Sequence, residues 1–282
     1  MSKGFIFTFL SALSWAVQIL LIRYLLSNGE TAPNLAFWFT LLATPYWIST
    51  FTKHHSKLQN VKFSLWILLL FIGLVNMIGV VFVETLALKF SPAVNFSFLI
   101  RTVILFTILL ASFFLHEILS FKKVILSSLI LIGSYLLITQ GQTLRLTSGD
   151  MFTLLEAFML AVLNVTQKTA ITTIGPQLTA SGAFLSAIIP YSIFMLVRGG
   201  IMLPKFPLVT ILLTITYISI TRFKLTALKH ASASYVTMIF SFTPIFVSLF
   251  AIPLLGETLT TIQIIGGILI ILAGVGVEKL KI

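Results

Sequence analysis

Apolar runs of about 20 residues succeed one another along almost the whole chain, parted by short polar or Pro/Gly breaks. A helix rising 1.5 Å per residue crosses a bilayer in about 20 such residues, and lipid offers its backbone no other partner. Charged residues make up only 9% of the 282, too few to coat a water-facing surface. The chain therefore reads as an all-α integral membrane protein with no room for a soluble domain. Runs and breakers predict ten transmembrane helices at about 4–27, 33–52, 63–89, 91–115, 121–140, 149–172, 177–198, 206–228, 232–255 and 260–278. The breaks fall at Asn28-Gly29 before Pro33, the polar Lys53–Lys62 stretch, Ser91-Pro92, Ser148-Gly149, Gly175-Pro176, and Pro204 with Pro207.

The net charge of +11 would suggest nucleic acid in a soluble protein, but here the basic residues lie between apolar segments. They act as topology signals and as contacts for anionic lipid, so membrane lipid is an expected partner and nucleic acid is not. A cytoplasmic N-terminus gives one side Lys3, Lys53, Lys57, Lys62, Lys122, Lys123, Lys168, Arg222, Lys224, Lys229, Lys279 and Lys281. The other side receives Arg23, Lys89, Arg145, Arg198 and Lys205. The imbalance predicts a multi-pass cell-membrane protein with both termini cytoplasmic. Lys3 before an apolar run looks like a secretory signal, but the run is too long for one and reads as an uncleaved first helix. The glycosylation patterns starting at Asn95 and Asn164 lie inside predicted helices, out of reach.

The chain repeats itself. Ala87-Leu88-Lys89-Phe90-Ser91-Pro92-Ala93 aligns with Ala227-Leu228-Lys229-His230-Ala231-Ser232-Ala233, 140 residues later, and the same register pairs Glu117 with Glu257. A fainter match pairs Ala12 with Ala157 and Arg23 with Lys168, 145 residues apart. Two units follow, 1–140 and 149–282, each of five helices. An odd number of crossings inverts the second copy, giving the inverted-topology repeat on which alternating-access transporters are built.

On these residues the chain resembles the drug/metabolite transporter superfamily, in particular its EamA-type ten-helix members. The resemblance rests on Ala-Leu-Lys before a small-residue-rich helix in both halves, Thr243-Pro244 within that helix, and Leu255-Gly256-Glu257-Thr258-Leu259 before a Gly-rich last helix. It covers essentially the whole chain and implies export of small metabolites, amino acids or drugs. The first half departs from the pattern: His116-Glu117 replaces Gly-Glu, and Ile104 stands where Pro244 stands in the second. The fourth helix is accordingly expected to lack the kink that Pro244 gives the ninth, and Pro190 is a second kink candidate in the seventh. Glu257 precedes Thr260-x-x-Gln263, a capping-box pattern, and Glu117 precedes Ser120, so both acids read as helix-end partners.

Charges inside the bilayer cost at least about 2.5–3.5 kcal/mol each on insertion scales, so they should face a cavity or a partner. Arg101 lies near the middle of the fourth helix, within reach of Glu156 in the sixth or Glu84 in the third. It forms an ion pair that locks helices, or it binds a substrate carboxylate or phosphate while a Glu carries a proton. Glu156, Leu160, Asn164 and Gln167 share one helical face. Trp15 and Gln18 in the first helix, Asn95 beside Arg101, Tyr217 in the eighth and Ser241 in the ninth complete the candidate substrate lining, with Pro244 as hinge. Interhelical hydrogen bonding is the competing explanation for each of these polar groups.

Zero cysteines exclude disulfides and thiolate sites, and His54-His55 alone makes a poor metal site. No nucleotide-binding loop or catalytic constellation is present, so no enzyme activity, cofactor or metal is expected. A small molecule is the expected substrate. The leading function is a secondary-active or facilitative metabolite exporter; the alternative is a nucleotide-sugar or phosphate-ester exchanger, favoured by Arg101, Arg222 and Lys224. Gly266, Gly267, Gly274 and Gly276 in the last helix allow close packing, whether within the chain or in a homodimer.

Overall fold

The computed structural model describes residues 2–55, 62–91, 93–255 and 259–280, without the side chains of 93, 94 and 251–255. Pro92, Lys57, Lys281 and the Gly256-Glu257-Thr258 motif therefore lie outside the described residues. Those described form helices and connections, with no strand among them. The helices are α1 (Lys3–Ser27), α2 (Ala32–Leu42), α3 (Thr44–His54), α4 (Phe63–Leu74), α5 (Val83–Phe90), α6 (Ala93–Leu99), α7 (Val103–Phe114) and α8 (Phe121–Thr139). They continue with α9 (Asp150–Arg198), α10 (Pro207–His230), α11 (Ala233–Phe240), α12 (Thr243–Leu255) and α13 (Thr261–Leu280). A π-helical stretch, Val75–Phe82, joins α4 to α5, and a 3-10 turn, Ile100–Thr102, joins α6 to α7.

Hydroxyl side chains start several helices by accepting orphan backbone N–H groups. Ser2 accepts from Phe5, Thr31 from Asn34, Ser120 from Lys123 and Ser232 from Tyr235. The box expected at α13 is present: Gln263 Oε1 accepts the Thr260 N–H at 2.9 Å, and Thr260 Oγ1 accepts the Gln263 N–H at 3.3 Å.

Among the described residues, eight helical stretches are long and apolar enough to cross a membrane. Two features account for eight where ten were expected. The expected helix 33–52 breaks at Ala43, because Pro45 has no N–H to give and its ring crowds the preceding turn. Helices 149–172 and 177–198 abut within α9 and are separated at Gly175, whose non-helical φ of 79° is open to glycine at little cost, so the expected break at Gly175-Pro176 is present. The helix passes through Pro190 without such a break.

The ninth expected helix is interrupted as Pro244 required, between α11 and α12. The fourth helix, expected to lack that kink, tightens to a 3-10 turn at Ile100–Thr102, the register mate of 240–242, with helical φ/ψ on both sides. No proline is needed there, because side chains take the carbonyls: Arg101 Nε donates to Ser97 O at 3.3 Å and Thr102 Oγ1 to Leu99 O at 2.7 Å.

Burial runs opposite to that of a soluble protein. Phe63, Phe113, Val197 and Leu208 point outward at 75% exposure or more, while Thr8, Ser11, Thr107, Glu156 and Ser234 are fully buried. Apolar side chains outside and polar ones inside suit a multi-pass membrane protein.

Glycines set the closest approaches. A Cβ on Gly266 would lie 2.4 Å from the Leu137 backbone N and 2.6 Å from Gly133 O, so α13 and α8 touch backbone to backbone. Gly274 meets the Phe242 ring and Gly276 meets Leu126, whereas Gly267 meets nothing within 4 Å. Three of the four last-helix glycines thus serve packing within the chain. Gly266→Val should lower the thermal stability of the purified protein by about 1–3 kcal/mol or more, since backbone cannot swing aside as a side chain can. Gly267→Ala should leave it unchanged, and equal losses in both would refute this assignment.

Glu117 reaches across the repeat. Its carboxylate accepts from Ala233 N at 2.7 Å, Ser234 N at 3.3 Å and Ser234 Oγ at 2.5 Å, and pairs with Lys123 at 3.4 Å. An acid on the first N–H groups of α11 satisfies orphan donors and complements the helix dipole. Glu117→Ala should cost about 1–2 kcal/mol, read as a drop in unfolding midpoint, with Glu117→Gln recovering part of it.

Candidate functional site

The bundle holds a central cavity of about 60 Å³ lined from five directions. α1 brings Trp15 and Gln18; the π-helical stretch and α5 bring Asn76, Val80 and Glu84; α9 brings Glu156, Leu160 and Gln167. α10 brings Tyr217, Thr221 and Lys224, and Phe240 stands at the end of α11. Asn76, Val80 and Glu84 are four apart. Steps of four residues drift by about 40° around a regular α-helix, and an i→i+5 turn winds less per residue and offsets that drift.

The two carboxylates differ in their surroundings. Glu84 is held: Trp15 Nε1 donates to one oxygen at 2.7 Å and Gln18 Nε2 to the other at 3.4 Å. Glu156 is fully buried, and neither of its oxygens has a hydrogen-bond partner. Gln18 Oε1 and Gln167 Oε1 are likewise buried without a donor. Each such acceptor costs roughly 1–3 kcal/mol, more if charged. The cavity is thus short of donors, the deficit that a bound N–H or O–H group relieves.

Aromatic and amide groups fix the walls. Trp15 stacks on Phe240 with centroids 4.9 Å apart, and Tyr217 OH accepts from Asn76 Nδ2 at 2.8 Å. Arg101 lies behind Trp15, its guanidinium carbon 5.3 Å from the ring centroid, and is not part of the lining. The ion pair expected between Arg101 and Glu156 or Glu84 is not formed within 4 Å. Among the described residues the one ion pair is Lys123–Glu117.

Of the residues expected to line a site, Trp15, Gln18, Gln167, Tyr217, Glu84 and Glu156 meet at this cavity, and four, Arg101, Asn164, Asn95 and Ser241, do not. Asn164, one turn from Leu160, donates to Thr107 and Thr237 hydroxyls at 3.3 and 2.9 Å. Asn95 donates to Asp150 at 2.6 Å and to Arg145 O at 2.9 Å, at the end of the bundle. Ser241 gives its hydrogen to Thr237 O at 3.3 Å in the α11–α12 break, and Pro244 begins α12 beyond it. Asn76 was not among the expected residues. The available signal was a lone amide eight residues before Glu84 in an otherwise apolar run.

His54 and His55 each hold a carbonyl of their own helix through Nδ1 at 2.8 Å. No group of three His, Asp or Glu residues suited to a metal occurs among the described residues.

The model of the EamA-like transporter family matches residues 2–139 and again 147–277. No curated protein matches the chain. A solved structure described as "Crystal structure of protein" superposes with a TM-score of 0.77 over 98% of this chain and 96% of that one, at 16% identity. That likeness speaks to the fold. With both halves matched by one family, the chain belongs to the EamA-like transporter family of the drug/metabolite transporter superfamily.

Proposed function

We propose that the protein exports small amino-bearing metabolites across the cell membrane by alternating access, with the central cavity as the substrate site. The observation that carries this is the set of unpartnered acceptors on Glu156, Gln18 and Gln167. An ammonium supplies three donors and a positive charge at one point, which answers that deficit. Trp15, Phe240 and Tyr217 add aromatic surface for the apolar part of such a solute. Lys224, on the same wall as Thr221, would meet a carboxylate at its other end. A phosphate ester fits less well, because Lys224 is the one cation among the described lining residues. About 60 Å³ holds only a few waters, so the solute needs a wider form of the same cavity.

In this reading the chain makes ten crossings as two inverted five-helix units, 1–140 and 149–282, with both termini in the cytoplasm. Contacts between helix ends support it by sorting into two groups. One joins the Ser2 N–H to Glu278, Glu117 to α11, and Lys168 Nζ to Leu228 and Ala231 carbonyls. The other joins Glu30 to Lys205 N, Asn34 to Met202 N, and Asp150 to Ser91 and Asn95. Ten crossings put all of the first group on one side and all of the second on the other.

Counterflow in proteoliposomes tests the function. Labelled amino acids and simple amines should exchange, and sugar phosphates should not. Exchange of phosphate esters alone would reverse the assignment.

A further inference from the structure

A second cavity opens at one end of the bundle, between α3, the bend of α9 and α10. It holds about 270 Å³. Its wall carries Lys53, His54 and Arg222, and no carboxylate is among the described lining residues. The second half of α9 restarts at Pro176 after the Gly175 bend, so the N-terminal end of a 176–198 helix, with its positive dipole, abuts the cavity through Pro176 and Gln177. Trp47 also lines it, at 1% exposure, and the Trp47 indole N–H has no acceptor. An indole N–H can only donate.

The remaining groups sharpen the contrast with the central cavity. Arg222 lies 5.8 Å from the Tyr46 ring centroid, which orients its planar fork at the rim. His54 Nδ1 is engaged with Thr50 O, leaving Nε2 for another partner. Thr50 and Thr226 spend their hydroxyl hydrogens on their own helices and add no donor. Where the central cavity carries unpartnered acceptors and a single cation, this one has three basic side chains, a helix N-terminus and, in the wall it shares with a smaller recess beside Asn76 and Gln167, the unused buried donor of Trp47. Positive residues at a membrane face also arise from topology alone, but a topology signal needs neither a walled recess nor an orphan indole N–H.

We propose that this vestibule is a second binding site, one that takes an oxyanion, the carboxylate or phosphate group of a small solute or of a lipid headgroup. The inference does not rest on the central cavity's role in transport.

Binding of labelled inorganic phosphate to the full-length protein tests it, in phosphatidylcholine nanodiscs at matched ionic strength, read by scintillation proximity. Saturable binding is expected. It should weaken about tenfold or more in Arg222→Gln and in Trp47→Phe, each losing a hydrogen bond to a charged group, and stay unchanged in Lys62→Gln. Arg222 is exposed, so its variant keeps the test intact if Trp47→Phe does not fold. Adding phosphatidylglycerol distinguishes the sources: competition assigns the site to lipid headgroups, and none assigns it to soluble anions. No saturable binding by the wild type in either membrane, or binding that survives both variants, overturns the proposal.

Discussion

Glu156→Gln is expected to abolish pH-gradient-driven accumulation while leaving a folded protein that still exchanges substrate for substrate at high concentration. Glutamine keeps the shape of the side chain but cannot titrate. The contrast with Glu84 directs the prediction to this residue: Trp15 and Gln18 already occupy the Glu84 oxygens, whereas both Glu156 oxygens are without partners. A group with no donor of its own is free to take a proton or an ammonium in turn, which is what coupled exchange requires. If an ammonium sits on Glu156, losing that charge-assisted bond removes roughly 1.5–3 kcal/mol, so KM for amine-bearing solutes rises about tenfold or more. Fluxes into proteoliposomes with and without an imposed pH gradient measure both effects. Unchanged pH dependence with unchanged KM would make Glu156 a structural partner and move the search for coupling to Glu84.

The parts of this site that were legible in the sequence are those set by local periodicity. Glu156, Leu160 and Gln167 share a face of α9 because side chains three and four apart do, and all three line the cavity. Asn164 shares that face yet turns to Thr107 and Thr237, a choice made by neighbouring helices that spacing does not report. Asn95 illustrates depth. It lies two residues past Ala93, about 3 Å along the helix, so it meets Asp150 at the bundle's end and not the midplane. Caps written in adjacent residues, such as Thr260 with Gln263, were legible. The π-helical stretch that aligns Asn76 with Glu84 was not, because the apolar run around it has the composition of an ordinary helix.

Glu117 was read correctly as a helix-end partner, but its partner lies 116 residues away at α11. Sequence offered only its neighbour Ser120. The repeat brings such distant residues together: the first half's loop acid lies against the broken helix of the second.

Arg101→Met should give opposite signs for stability and transport. The guanidinium is 2% exposed in the middle of a membrane-spanning stretch, and no carboxylate lies within 4 Å of it. It donates to the Ser97 carbonyl at 3.3 Å and lies 5.3 Å from the centre of the Trp15 ring, and the Glu156 carboxylate acts on it electrostatically from beyond 4 Å. A cation so placed costs at least about 2.5–3.5 kcal/mol on insertion scales, and a carbonyl with a cation–π contact returns only part of that. Methionine reproduces the unbranched stem, needs no partner and packs against aromatic rings. The variant should therefore unfold no earlier than the wild type. Transport should nonetheless fall about tenfold or more, because Arg101 holds the ring whose N–H holds Glu84, and a shift of either wall misplaces the solute. Trp15→Phe, which keeps an aromatic ring beside Phe240 while removing the N–H donor and part of the indole surface, should reproduce much of that loss. Thermal unfolding in detergent and counterflow in liposomes give the two readouts. A variant that is destabilised and inactive in proportion would make Arg101 a scaffold residue, and one that transports normally would detach it from the site.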